Sequence, residues 1–116
     1  MEPVRVGLLG LGTVGCGTVN VLQRNAQEIN RRAGRRIEIY HAAARDLSRP
    51  RDCDLSNVKL TTDAMAVVND PKVDVVVELI GGTDAAARLV RQALSNKKHV
   101  VTANKALIAK HGTELF

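Results

Sequence analysis

The sequence predicts an α/β chain, a doubly wound parallel sheet left incomplete at its far end, with helices on both faces. Three observations predict it. Apolar, β-branched runs alternate along the chain with stretches of helical spacing, the pattern of strands joined by crossover helices. One such run, Val73 to Ile80, is apolar almost without a break, as a strand buried on both faces must be. The first run, Val4 to Leu9, passes directly into Gly10-Leu11-Gly12-Thr13-Val14-Gly15, a glycine-rich turn that opens a helix.

A strand, a G-x-G-x-x-G turn and a helix in this order make a dinucleotide-binding fingerprint, and the sheet is accordingly Rossmann-like. Gly10 is expected to permit the tight turn, Gly12 to let the backbone approach a pyrophosphate, and Gly15 to let the helix pack closely. The free N–H groups at the start of the helix favour a phosphate anion. Val14, Thr18, Val21 and Leu22 lie at helical spacing on one face, so the strand, turn and helix that the motif requires are all present.

The other elements follow in order. Residues 25 to 36 are polar, include Gly34, and read as ragged helix and loop; Ile37 to Ala44 reads as the second strand. The segment from Asp46 to Asn57, rich in Arg, Asp and Ser and carrying Pro50, reads as loop. Thr62 to Val68 is a short helix with Thr62 as its cap, ending before Pro71. The third strand, Val73 to Ile80, runs into Gly81-Gly82, and Thr83 or Asp84 caps a helix whose Ala86, Leu89, Val90, Ala93 and Leu94 keep helical spacing up to Ser95-Asn96. His99 to Ala103 is the fourth strand, leading through Asn104 to a short helix from Lys105 to His111 that Gly112 ends.

At 116 residues the chain is sized for one domain, short of a complete six-strand dinucleotide fold. It is 45% hydrophobic, yet its apolar runs are far below the roughly 20 residues that span a bilayer. Without a signal-peptide pattern at the N-terminus, the expectation is a soluble, cytoplasmic protein with no membrane partner. Cys16 and Cys53 form no C-x-x-C pair and have no histidine cluster beside them, so no metal site is expected and both read as buried or incidental thiols. The net charge of +5 sits wholly between residues 24 and 51, where eight arginines face Glu28, Glu38 and Asp46. With only Tyr40 and Phe116 aromatic, base stacking has almost nothing to work with, and no nucleic-acid partner is expected.

Ligands of open parallel sheets gather beyond the carboxyl ends of the strands. Beyond the second strand stand Arg45 and Asp46, where an arginine accommodates a 2′-phosphate and a carboxylate the ribose 2′-OH. Arg45 comes first, with Lys59 as a possible second cation, which favours NADP; Asp46 keeps NAD as the alternative, and a surface role for either cation stays open. Glu78, deep in an apolar strand, needs a partner, either functional or in a structural salt bridge. Lys105, just beyond the fourth strand, reads on spacing alone as a solvated lysine opening a helix, ahead of a desolvated acid-base group. His99 and His111 have no Ser or Cys partner and read as structural.

With these residues assembled, the chain resembles the N-terminal nucleotide-binding region of homoserine dehydrogenases over essentially its whole length. Three blocks carry the resemblance: Val6 to Gly15, Val77 to Gly82, and above all His99-Val100-Val101-Thr102-Ala103-Asn104-Lys105-Ala106-Leu107. It implies NAD(P)-dependent interconversion of L-homoserine and L-aspartate 4-semialdehyde, a step toward threonine, methionine and isoleucine. By position, Gly10, Leu11, Gly12, Thr13, Val14 and Gly15 would hold the pyrophosphate, Arg45 and Lys59 the 2′-phosphate, and Gly81 would lie near the nicotinamide. Lys105 matches the family lysine beside the nicotinamide and the reacting oxygen, which makes it the catalytic candidate. The family's substrate-binding and dimerisation domain, with any regulatory domain, is missing from residues 1–116. The chain is therefore expected to be the cofactor-binding part of a homo-oligomeric enzyme and inactive alone. Many members carry a glycine where this chain has Asn96-Lys97-Lys98. The competing reading is a dinucleotide-sensing regulatory module without catalysis.

Overall fold

A computed structural model describes residues 3–25, 28, 31, 34, 36–80 and 83–102. Five strands, β1 (Val4–Leu9), β2 (Ile37–Ala43), β3 (Lys59–Thr61), β4 (Val75–Glu78) and β5 (His99–Thr102), form one sheet in the order β3-β2-β1-β4-β5. Every pairing in it is parallel. Helices that lie wholly among the described residues are α1 (Thr13–Arg24), α2 (Ala64–Val68) and α3 (Asp84–Ser95). Strand order reverses between β1 and β4, the neighbours at the centre of the sheet, and beside such a reversal the loops splay apart to leave a crevice.

The period of two along β1 distributes the core. Val6 and Leu8 point to the face that α1 covers through Val19, while Leu9 points to the opposite face, with Val67 and Val68 of α2 and Leu89 and Ala93 of α3. The expected helices on both faces are therefore present. Register slips once, between Val6 and Gly7, so that Tyr40 of β2 is skipped.

Three expectations need correction. The sheet has a strand that sequence reading leaves out, because β3 is three residues, Lys-Leu-Thr, with no alternation long enough to register. The cap of α2 is Asp63, whose Oδ1 accepts the Met65 N–H at 3.0 Å, and not Thr62. Strand β4 is shorter than the apolar run, since Val73 closes a turn onto the Asp70 carbonyl before pairing begins. The buried stripe of α1 is Gly15, Cys16 and Val19, with Thr18 and Leu22 half-buried, whereas Val14 and Val21 stay 63% and 50% exposed. A glycine and a cysteine centre that stripe, and neither draws attention in a hydropathy pattern.

The expected helix from Lys105 to His111, most of the 25 to 36 stretch, Gly81-Gly82 and Ala103 lie outside the described residues. Among the described residues no helix is long and apolar enough to cross a membrane.

Candidate functional site: a cleft at the carboxyl edge

The carboxyl ends of four strands are stitched level by main-chain bonds. Gly10 N–H donates to Ala43 at 2.9 Å, Leu79 N–H to Leu9 at 2.9 Å, and Ala44 N–H to Thr61 at 3.1 Å. Above this edge opens a cleft of about 1030 Å³. The glycine turn and the first two turns of α1 form its floor, the loop from Ala44 to Asp52 one wall, and Thr62, Ala64, Ile80, Ala85 and Leu89 the other.

Two of the glycines meet backbone demands that the turn imposes. Gly10 has φ +110°, a left-handed conformation that side chains disfavour. A Cβ on Gly15 would stand 2.2 Å from the Gly10 carbonyl oxygen, so the helix can approach the turn only without one. Around Gly12 a Cβ would meet nothing within 4 Å, because the residue borders the open cleft. Gly12 is also the N-cap of α1, with no side-chain cap bond and no acidic residue in the first turn. The helix start thus keeps donors for an anion, which fits a pyrophosphate. Leu11 is buried and offers only its backbone, Thr13 lines the cleft, and Val14 does not.

At the cationic wall Arg45 and Arg49 line the cleft with exposed guanidiniums that meet no partner among the described residues. Asp46 is exposed but engaged within its own loop: its Oδ1 accepts Ser48 N–H at 2.9 Å and Ser48 Oγ–H at 2.6 Å. Those bonds, helped by the charges of Arg49 and Arg51, hold its carboxyl below the usual range. The wall is anchored to α1 as well, where Asn20 donates to the Asp52 carbonyl at 3.0 Å and Gln23 to the Asp54 carbonyl at 2.8 Å. Between those anchors, burial first and then contact with the Cys16 thiol push Cys53 up to about 11, so Cys53 remains a thiol of low reactivity at neutral pH.

Lys59 is not part of this cleft. It begins β3, opposite His41, and its charge acts on Asp70 at the other side of the sheet. The strand it opens ends at Thr61, so Thr62, not Lys59, reaches the carboxyl edge. Glu78 is fully buried and, among the described residues, held by hydrogen bonds and by no salt bridge: Ile80 N–H reaches Oε2 at 2.6 Å and Thr102 Oγ–H reaches Oε1 at 2.5 Å. It therefore ties the ends of β4 and β5 together beneath the cleft. Gly81 and Lys105 lie outside the described residues.

Two cleft residues escaped sequence reading. Arg49 and Arg51 sit in a charged loop whose composition says only that it is solvated; nothing in the spacing separates the arginine that faces the cleft from the one folded into the wall.

A parallel 3-2-1-4-5 sheet, with a glycine turn at its point of reversal and unclaimed donors facing the crevice, defines a dinucleotide-binding domain. Comparison with known proteins agrees. The family description "Homoserine dehydrogenase, NAD binding domain" matches residues 10–116. The homoserine dehydrogenase of Pseudomonas aeruginosa is 59% identical across the whole chain, and that of Bacillus subtilis 45%. The chain spans 26% and 27% of their respective lengths. Among solved structures, a homoserine dehydrogenase from Thiobacillus denitrificans superposes with a TM-score of 0.91 at 55% identity, covering all of this chain and 27% of that one. The homoserine dehydrogenase of S. aureus gives 0.90 at 42%, covering 99% and 29%. The chain belongs to the homoserine dehydrogenase family, as its NAD-binding domain, and its cofactor is a nicotinamide dinucleotide.

Proposed function

We propose that this chain is, over residues 1–116, the cofactor-binding domain of an NADP-linked oxidoreductase that interconverts L-homoserine and L-aspartate 4-semialdehyde, a step toward threonine, methionine and isoleucine. The preference for NADP rests on one observation: the wall assigned to the ribose 2′ position presents two guanidiniums, Arg45 and Arg49, with no hydrogen-bond or ion-pair partner among the described residues, while the Asp46 carboxylate that would serve a 2′-OH is engaged by Ser48. Arginine is suited to a phosphate because its planar fork donates two parallel bonds.

The glycine turn, from Gly10 to Gly15, holds the pyrophosphate through backbone N–H groups of residues 12 to 14. Once bound, the cofactor supplies or accepts the hydride. Gly81, which follows Ile80 in the sequence, we assign to the nicotinamide end. Lys105 is the proposed proton carrier at the substrate oxygen, on the strength of the sequence block from His99 to Leu107. Such a lysine can give a proton as the aldehyde oxygen gains charge and take it back in the reverse direction. A homo-oligomeric parent enzyme working in the cytoplasm completes the proposal.

The test is calorimetric titration with NADPH and NADH, before and after Arg45→Ala, followed by a homoserine oxidation assay. NADPH is expected to bind more tightly than NADH, and Arg45→Ala to weaken NADPH by about tenfold or more while leaving NADH within about twofold. Equal affinity for the two cofactors, unchanged by Arg45→Ala, overturns the NADP preference; failure of the intact protein carrying this chain to oxidise homoserine overturns the activity.

A further inference from the structure

The Arg51 side chain joins two segments that cofactor binding uses separately. Its Nε donates to the Leu11 carbonyl in the glycine turn at 3.0 Å, its Nη2 to the Asp46 carbonyl at 2.7 Å and its Nη1 to the Arg49 carbonyl at 3.0 Å. Each of its three nitrogens thus meets a main-chain oxygen, and the side chain is half-buried in the wall. Arg45 and Arg49, whose guanidiniums meet no hydrogen-bond or ion-pair partner among the described residues, stand on the loop that it holds.

We propose that Arg51 is a positioning residue that sets cofactor affinity and NADP selectivity without touching the 2′-phosphate, an inference that rests on the NADP-linked reading above. Two physical effects support it. In a trans peptide the C=O and N–H point in opposite directions, so a guanidinium fixed on the Leu11 oxygen turns the Gly12 N–H away from the wall and keeps its orientation constant. The same guanidinium holds the Asp46 and Arg49 carbonyls together, which sets where the loop presents Arg45. Lysine cannot replace it, because a single ammonium on a flexible stem lacks the rigid fork that spans three carbonyls.

Dissociation constants for NADPH and NADH, with KM and kcat, are to be measured on the intact protein carrying this chain, as wild type, Arg51→Lys, Arg51→Gln and Arg45→Ala. Arg51→Lys is expected to weaken NADPH about tenfold and NADH about threefold, raising KM for NADPH while kcat at saturation holds. Arg51→Gln is expected to do the same or more. Wild-type affinity in a folded Arg51→Lys overturns the proposal. So does full rescue by lysine alone, which would make Arg51 a plain charge for the phosphate, and so does failure of both variants to fold, which would make it a stability residue only. Arg45→Ala keeps the two readings apart: if it leaves NADPH binding unchanged, the NADP reading has failed. If it weakens NADPH while Arg51→Lys does nothing, the positioning role alone has failed.

Discussion

The two sides of this sheet carry the same kinds of charged residue and use them in opposite ways. At the carboxyl edge, Arg45 and Arg49 line a cleft without partners among the described residues, and the start of α1 has neither a side-chain cap nor an acidic residue. On the amino-terminal side, polar groups close on one another. His41 Nδ1 lies 2.9 Å from Asp70 Oδ2, and the buried Lys98 ammonium donates to the Asp70 and Val73 carbonyls at 2.7 and 2.6 Å. Asn96 Nδ2 joins the Val68 carbonyl and the Asn69 side chain at 2.8 and 2.9 Å. The Asp70 carboxyl feels burial most strongly, but the Lys72 N–H, His41 and Lys59 together hold it below its ordinary range. A buried cation bonded to protein carbonyls is part of the scaffold, whereas one left facing a crevice is available to a ligand.

Three changes test that division. The largest effect is expected from Gly15→Ala, where a methyl group 2.2 Å from the Gly10 carbonyl must displace backbone. It should lower unfolding free energy by about 3 kcal/mol and abolish cofactor binding together, since the turn serves both. Chemical denaturation and calorimetry would read the two losses; retention of cofactor affinity would break the link between helix approach and anion site.

Next comes Lys98→Met, which keeps the apolar stem and deletes the ammonium. Two carbonyls then lose their donor, and stability should fall by about 2 kcal/mol with cofactor affinity unchanged. A loss of affinity without a loss of stability would erase the distinction between the two sides. The smallest effect is at Lys97, which ends α3 with φ +61°, a conformation that glycine adopts without strain. Lys97→Gly should raise stability by about 0.5–1 kcal/mol after the added freedom of the unfolded chain is counted. A melting temperature that stays put or falls would mean the lysine side chain makes compensating contacts.

Much of the fold was legible in the residues. The β1 strand, the glycine turn and the α1 start read directly, because positive φ at Gly10 and close approach at Gly15 demand glycine wherever they occur. The apolar Val75–Glu78 strand and the helical spacing of Ala86, Leu89, Val90 and Ala93 read equally well, since burial on both faces and on one face leave different periods. Arg45 lines the cleft at the place after β2 where sequence reading looked for a ligand. Lys59 was misplaced, since a three-residue strand gives no alternation and the cation's side of the sheet depends on where that strand starts. The buried face of α1 was not legible for a related reason: hydropathy points to Val14 and Val21, while packing chose Gly15 and Cys16.

The sequence by itself determined that this chain makes a parallel α/β sheet with a dinucleotide turn at its centre, because strand periodicity and glycine spacing are local properties that each segment carries alone. Only the tertiary structure decided which charges face the cleft. Arg45, Arg49 and Arg51 are chemically alike and six residues apart at most, yet Arg51 is consumed by three carbonyls, one of them forty residues earlier in the chain. Which arginine is left for a ligand depends on how that loop folds against the turn, and a contact between distant segments leaves no mark in the spacing of either.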